Sequence, residues 1–217
     1  MRLEVIVANW PIIASGIVLT LQIAAAAITI GMLLGLLVAV ARISGPRPVA
    51  MLATGYVEVM RNTPVLVQLL LIFLGLAEFR LRIAAVPAVI IALGINNGAY
   101  LSEIIRGGLQ SVHKGQLEAA AALALPPSWT LRDIILPQAL RAVYPALGNQ
   151  FIQTVLASSI GSVIGAPELT QQINFVDSRT FRTIELLAFL TLAYALLTLV
   201  LSAAVRVLGW RLERAYR

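Results

Sequence analysis

The sequence predicts an all-α integral membrane protein with about five transmembrane helices. Only 12% of the residues are charged and 59% are hydrophobic, whereas a soluble domain carries about 25% charged residues. The apolar residues form long runs of the kind that crosses a bilayer, which takes about 20 residues. The basic residues cluster at the ends of these runs, where they set the orientation of a membrane protein.

Five apolar runs predict the spans of a single transmembrane domain over residues 1–217. They cover residues 12–40, 62–77, 84–106, 142–165 and 185–208. Because the first run is about twice as long as the 7–15-residue core of a signal peptide, we expect a retained and tilted helix. Residues 48–60 are amphipathic and too short to span, so they either lie in the membrane interface or extend the second helix.

The basic residues predict the orientation of the chain. Five spans put the two ends on opposite sides, and an external N-terminus puts eleven of the 16 basic residues inside: Arg42, Arg47, Arg61, Arg106, Lys114, Arg132, Arg141, Arg206, Arg211, Arg214 and Arg217. The other five then lie outside: Arg2, Arg80, Arg82, Arg179 and Arg182. The excess of positive charge inside predicts N-out and C-in, with a cytoplasmic loop over about residues 107–141.

Three pairs of glycines are spaced for close helix packing. These GxxxG pairs are Gly31 with Gly35, Gly94 with Gly98, and Gly161 with Gly165. Small residues four apart form a flat strip that lets two helix backbones approach each other. We therefore expect helix crossings at all three pairs.

Residues 116–136 read QLEAAAALALPPSWTLRDIIL, which suits neither a lipid-facing nor a solvent-facing helix. Strong helix formers predict a helix over residues 114–125, which Pro126 and Pro127 end. Four small or apolar residues share one face at a spacing of three or four: Leu117, Ala120, Ala121 and Ala124. A smooth alanine face suits docking into a groove on another protein.

The same stretch resembles the EAA loop of ATP-binding-cassette (ABC) importer permeases. That signature reads EAA, three residues, Gly, nine residues and I-x-L-P, and the spacing here matches throughout. The resemblance identifies an ATPase-coupling set: Glu118, Ala119, Ala120, Ala124, Ile134, Leu136 and Pro137. Ala124 replaces the glycine, and alanine disfavours positive φ. We therefore expect a different turn there, with Pro126 and Pro127 taking part of its role.

Further motifs resemble the polar amino-acid branch of these permeases, which serves His, Glu, Gln, Arg or opines. The similarity covers about residues 12–216, and its main motifs are YVEVMRNTPVLVQ at 56–68, NNGAYLSEIIRGGLQSVHKGQ at 96–116, LPQALRAVYPALGNQFI at 136–152 and SVIGAPEL at 162–169. The resemblance implies a type I importer permease fold in a bacterial inner membrane. It also implies that the EAA helix is a cytoplasmic coupling helix between the third and fourth spans.

The resemblance implies a non-catalytic subunit of a larger complex. Its partners would be two ATPase subunits that bind ATP and Mg, a second permease chain of the same or another kind, and an extracytoplasmic amino-acid-binding protein. The sequence contains no GxxxxGK[ST] phosphate loop, so we expect this chain to bind no nucleotide cofactor. Zero cysteines and one histidine predict no metal site. We expect no nucleic-acid partner, because the basic residues sit where membrane anchors do.

Polar residues in the third and fourth spans are candidates for a substrate path. They are Asn96, Asn97, Tyr100, Glu103, Gln153, Ala157, Ser158 and Ser159. An acid within a membrane span is costly and marks function by default. Glu103 therefore either binds the ammonium or carboxylate of an amino acid or pairs with Arg106, three residues later on the same helix.

The fourth predicted span departs from its relatives at two charged positions. Much of the family carries Lys-Asp-Thr-Ser-Leu where this chain reads LASSI at residues 156–160. Leu156 and Ala157 thus replace a lysine and an aspartate. The hypothesis that follows is a neutral or less cationic substrate, or a partner permease that supplies the missing charge.

Two other functions fit the sequence less well. A self-contained secondary transporter or channel would need several buried titratable groups, and Glu103 is the one candidate. An intramembrane enzyme would need a catalytic set such as a pair of buried acids. An ABC importer permease is therefore the favoured prediction, with the secondary transporter as the alternative.

Overall fold

The computed structural model describes residues 4–215, and every regular element in that range is helical. The α-helices are α1 (Glu4–Ala8), α2 (Trp10–Ser44), α3 (Arg47–Asn62), α4 (Val65–Glu78), α5 (Ala85–Gln110), α6 (Lys114–Ala122), α7 (Pro127–Trp129), α8 (Leu136–Ala157), α9 (Leu169–Thr180) and α10 (Thr183–Ala215). A π-helical turn, Thr130–Ile135, precedes α8, and a 3-10 helix, Ser158–Ile164, follows it. Arg2, Arg217 and the side chains of Arg211 and Arg214, which we expect to anchor the chain, lie outside the described part.

Three described helices are long and apolar enough to cross a membrane: α2, α5 and residues Thr183–Trp210 of α10. Helices α3 and α4 qualify only together, and they meet at an angle of 105°. Helix α8 covers the predicted fourth span only as far as Ala157, and the 3-10 helix Ser158–Ile164 continues it. The amide side chains of α8 lower its hydropathy. The prediction of an all-helical membrane domain is confirmed, while the number of crossings and their orientation stay predictions.

Helix α3 is separate from both of its neighbours. Gly45 and Pro46 end α2 in extended backbone, and Thr63 and Pro64 do the same for α3. Proline has no N–H to continue a helix and forces the preceding residue out of helical geometry. The amphipathic segment therefore does not extend the second predicted span, and it exposes apolar side chains such as that of Leu52, as an interfacial helix would.

Helices α2 and α5 pack through two of the glycine pairs. A Cβ atom on Gly31 would lie 2.6 Å from the Asn97 Cβ, and one on Gly35 would lie 2.9 Å from the Leu101 Cβ. On the facing helix, a Cβ on Gly94 would lie 2.8 Å from a methyl carbon of Ile30. Close packing at these two pairs is confirmed, and it fixes the helix that carries Asn96, Asn97 and Tyr100.

Replacing Gly35 by alanine is expected to destabilise the protein by about 1–3 kcal/mol, the usual cost of overpacking a close contact. The new methyl group would meet backbone, namely the Gly98 oxygen and the Ser102 nitrogen, both at 3.1 Å. Thermal unfolding in detergent measures the effect. Gly55→Ala is the matched control, because a Cβ there meets nothing within 4 Å and alanine favours the helix. Equal stability of both variants would contradict this account of the crossing.

The third glycine pair is not a helix-packing motif. Gly165 ends the 3-10 helix at φ 76°, and a Cβ atom at this position would meet nothing within 4 Å. Its role is conformational, because positive φ is readily available only to glycine. Only Gly161 makes close contacts, since a Cβ there would lie 3.1 Å from side-chain carbons of both Val89 and Ala166. The prediction was wrong for this pair because spacing alone does not distinguish a helical strip from a turn.

A buried carboxylate, which the sequence analysis did not single out, holds the turn after Gly165. Glu168 is fully buried and caps α9 by accepting hydrogen bonds from the backbone N–H groups of Thr170 and Gln171. The Tyr194 hydroxyl also donates to it over 2.9 Å. Burial raises the pKa of Glu168, and these donors oppose the rise. The carboxyl group thereby ties α9 to α10.

Candidate solute cavity and coupling segment

A polar cavity of about 380 Å³ lies between α5 and α8. Its lining consists of Leu93, Asn96, Asn97, Tyr100, Asn149, Gln150, Gln153, Thr154 and Ala157. The volume falls within the 300–1,000 Å³ range of small-molecule sites. Amide and hydroxyl groups dominate the wall, and this set of lining residues contains no Asp, Glu, Lys or Arg. The cavity can therefore offer hydrogen bonds but no formal charge.

Asn97 joins the two walls of the cavity. Its Oδ1 accepts hydrogen bonds from Gln150 Nε2 at 2.7 Å and from Thr154 Oγ1 at 3.0 Å. Asn97 is only 3% exposed. Hydrogen bonds between helices hold polar side chains inside an apolar domain, so Asn97 fixes α8 against α5 and sets the width of the cavity.

The structure brings five of the eight predicted path residues together at this cavity: Asn96, Asn97, Tyr100, Gln153 and Ala157. Ser158 and Ser159 do not line it. Each donates its hydroxyl to a carbonyl three residues earlier. Ser158 and Ser159 follow Ala157 by one and two positions, about 100° and 200° around a helix, so they lie off the face that Gln153 and Ala157 share.

Glu103 lies in an arginine cluster away from the cavity wall. Its carboxylate accepts hydrogen bonds from Arg106 at 2.7 Å and from Arg42 of α2, and Arg61 of α3 lies 3.9 Å away. The Arg106 pair is the second of the two alternatives left open by the sequence. Arg42 was not anticipated as a partner, since it is 61 residues distant. The pairing satisfies a carboxylate that would otherwise be costly within a span.

The junction between α3 and α4 is held by amide side chains. Gln68, which is 7% exposed, donates through Nε2 to the Met60 carbonyl at 2.9 Å and to Thr63 Oγ1 at 2.7 Å. Asn96 Nδ2 lies 3.3 Å from the same Met60 carbonyl and 3.1 Å from Gln68 Oε1. Gln68 carries no signal in the sequence, because a lone amide in an apolar run has no periodic partner.

The predicted coupling residues lie on an exposed segment, with one exception. Glu118, Ala119, Ala124 and Leu136 are exposed, and Ile134 and Pro137 are partly so. Ala120 is only 2% exposed, so it packs against its own chain. The predicted face of Leu117, Ala120, Ala121 and Ala124 is therefore incomplete as a docking surface, because one of its members points inward.

Ala124 adopts the positive φ that its residue type disfavours. Helix α6 ends at Ala122, earlier than expected, and Ala124 has φ 51°. The Ala124 N–H bonds to the Ala121 carbonyl and the Leu125 N–H to the Ala120 carbonyl, both at 3.0 Å, which is the Schellman pattern of helix ends. The expectation of a different turn was wrong, because the hydrogen bonds outweigh the strain on alanine.

Replacing Ala124 by glycine is expected to stabilise the protein. A left-handed residue other than glycine costs about 1–2 kcal/mol, and glycine's larger entropy when unfolded offsets part of that gain. We expect a net gain of about 0.5–1 kcal/mol, measured by thermal unfolding in detergent. Ala122→Gly, at the last helical residue of α6, should instead destabilise by up to about 1 kcal/mol. A loss of stability in Ala124→Gly would contradict the strain argument.

Comparisons with known proteins identify the family. The model of the binding-protein-dependent transport system inner membrane component matches residues 31–217. The chain belongs to this family. It is 39% identical over 206 residues to the glutamine transport system permease of Escherichia coli, covering 94% of this chain and 92% of the relative. It is 35% identical over 223 residues to the nopaline transport system permease of Agrobacterium fabrum, covering 98% and 92%.

A solved structure of an amino acid ABC transporter crystallised with histidines superimposes with a TM-score of 0.92 at 40% identity, over 97% of this chain and 99% of that one. The binding-protein-dependent inner membrane component described here therefore has the fold of an ABC importer permease. It is a permease subunit and not an enzyme. Family membership favours the importer over the self-contained secondary transporter.

Proposed function

We propose that this permease imports a neutral polar amino acid, with glutamine as the reference substrate. The observation that carries the proposal is the uncharged wall of the cavity between α5 and α8. A zwitterionic backbone with an amide side chain offers hydrogen-bond donors and acceptors that match amide walls. A cationic side chain would lose its hydration there without gaining an opposite charge.

The arrangement around Glu103 supports the same substrate class. Glu103 is the acidic residue nearest in sequence to the cavity residues of α5. Its carboxylate is paired with Arg42 and Arg106. A substrate cation would have to displace Arg42 or Arg106 to reach it. With Ala157 at the position of the family's aspartate, the cavity lacks an acid on the α8 wall as well.

The proposed complex contains two permease chains, two ATPase subunits that bind ATP and Mg, and an external protein that delivers the amino acid. The polar cavity lies between α5 and α8 of a single chain, which suits half of a translocation path. Helix α6 and the residues up to Pro137 would contact the ATPase, because they present exposed small and apolar side chains at the position of the EAA motif. The orientation that places them in the cytoplasm follows from the positive charges.

Uptake by the intact transporter tests this proposal. The tagged permease is purified with its co-purifying ATPase, reconstituted in proteoliposomes with its binding protein, and supplied with ATP inside. We expect accumulation of labelled L-glutamine that stops with a non-hydrolysable ATP analogue, and at least tenfold less L-arginine. Uptake at full rate without ATPase would overturn the importer mechanism, and a preference for arginine would overturn the neutral substrate.

A further inference from the structure

The elbow between α3 and α4 is stabilised by a residue that also faces the solute cavity. We define the elbow as Asn62, Thr63 and Pro64. Because Pro64 has no N–H and Thr63 is extended, the last carbonyls of α3 lose their helical donors. Asn62 and Thr63 each satisfy one carbonyl of their own helix. The Met60 carbonyl depends on two other helices.

Two side-chain amides donate hydrogen bonds to the Met60 carbonyl. Gln68 of α4 donates over 2.9 Å, and Asn96 of α5 donates over 3.3 Å. Because a carbonyl can only accept, the amide nitrogens of both side chains must point toward the elbow. The Asn96 contact is the longer of the two and is the one more easily exchanged for another partner.

The other end of the Asn96 amide is available to a solute. Among the described residues, none donates a hydrogen bond to Asn96 Oδ1, and Asn96 lines the cavity. Its neighbour on the wall, Tyr100, lies under the guanidinium of Arg61 with 5.5 Å between Cζ and the ring centroid. Arg61 belongs to the last turn of α3, so two cavity residues contact the same turn.

We propose that Asn96 is a positioning residue through which occupancy of the cavity changes the angle between α3 and α4. The inference rests on the proposed function. A solute ammonium that hydrogen-bonds to Asn96 Oδ1 draws the amide toward the cavity and weakens its bond to the Met60 carbonyl. Gln68 then holds the elbow alone, and α3 moves relative to α4. A hydrogen bond from the solute to Asn96 thereby changes the angle between α3 and α4.

Gln68 separates this role from substrate binding, because it holds the elbow without lining the cavity. Gln68→Met keeps the length of the side chain and removes both its donors and the oxygen that orients Asn96. We expect the variant to bind L-glutamine within about threefold of the parent affinity. Because Asn96 is then the remaining side-chain donor to the Met60 carbonyl, the change of the elbow on binding L-glutamine should be larger than in the parent.

Paired spin labels measure the elbow directly, since the chain has no cysteine to block or remove. Labels at Met51→Cys and Leu71→Cys, which are 67% and 68% exposed, lie on opposite arms of the elbow. The label distance is recorded in the full transporter in lipid nanodiscs, with and without saturating L-glutamine. In Asn96→Asp, a carboxylate replaces the donor to Met60, and the ligand-free distance should already match the occupied state.

Asn62→Ala is the matched control, because it removes an exposed bond of the same elbow that does not reach the cavity. It should keep the parent response. If the parent binds L-glutamine and moves the elbow, and Gln68→Met moves it equally, this inference is wrong while the proposed function stands. A parent that does not bind L-glutamine overturns the proposed function, and the inference with it. A parent that binds without any change in label distance overturns the inference alone.

Discussion

Replacing Ala157 by aspartate is expected to turn the permease toward cationic amino acids. Ala157 lines the cavity on the α8 wall, opposite the amides of α5. A carboxylate there would offer a charged hydrogen bond to a guanidinium or ammonium side chain, which contributes about 1.5–3 kcal/mol. The ratio of L-arginine to L-glutamine uptake should therefore rise by about ten- to a hundredfold. Competition between the two labelled amino acids in ATP-loaded proteoliposomes measures the ratio.

Ala157→Asn is the matched control, because it adds the same volume without the charge. We expect it to leave the ratio within about threefold of the parent value, even if total uptake falls. The thermal stability of both variants in detergent shows whether they fold alike. A folded Ala157→Asp transporter with an unchanged ratio would mean that selectivity lies outside this cavity.

This experiment also separates the two explanations for the missing charges. If a partner permease supplied the acid, a homogeneous complex of this chain would not transport, and Ala157→Asp would restore transport of arginine to it. If the cavity is built for a neutral solute, the parent chain transports glutamine by itself with its ATPase and binding protein. Leu156, which replaces the family's lysine, is not part of the lining, so the aspartate position decides the outcome.

The apolar runs predicted the helices well where one run makes one helix. Helices α2, α5 and α10 follow the predicted spans closely, because about 20 apolar residues without a breaker leave the chain few other structures in a bilayer. The second predicted span did not follow this rule. Its apolar part is α4, only 14 residues long, and the bend of 105° to α3 depends on Thr63 and Pro64.

The cavity residues were predicted less completely than the helices. Asn96, Tyr100 and Glu103 have a helical spacing that indicates a polar face, and two of the three line the cavity. Gln68 has no such signal, because its partners are the Met60 carbonyl, Thr63 and an amide 28 residues away. The pair of Arg42 and Glu103 could not be predicted for the same reason, because the two residues are 61 positions apart. Contacts between distant helices are set by packing, and a single sequence contains no record of it.

The coupling motif shows the limit of a family pattern. The EAA and I-x-L-P residues lie on an exposed segment, with Glu118 and Ala119 both exposed, and their contact with an ATPase stays a prediction. The pattern does not show that Ala120 faces inward, nor that Ala124 takes the glycine conformation. Both depend on how α6 ends and rests against the π-helical turn, which the hydrogen bonds of residues 119–125 determine.

The second large effect is expected at Ala119. Ala119→Trp places an indole on the exposed surface of α6, where the proposed ATPase groove would close over a small side chain. Overpacking a close interface costs about 1–3 kcal/mol, which weakens binding by about 5- to 150-fold. The amount of ATPase that co-purifies with the tagged permease should fall accordingly, and ATP-driven uptake with it. Ala119→Ser should be close to the parent, and Ala119→Val intermediate.

Two further variants show whether such a loss arises at the docking surface. Ala120→Trp should damage the permease itself, with a lower unfolding temperature, because Ala120 is buried within its own chain. Ser178→Trp adds the same indole to an exposed position on α9. This position lies on the predicted external side of the membrane, so the variant should retain the ATPase. Since Ala119 and Ala120 are adjacent, only a docked partner makes the exposed alanine sensitive to size without loss of stability. Undiminished ATPase binding by Ala119→Trp would place the coupling contact elsewhere on the permease.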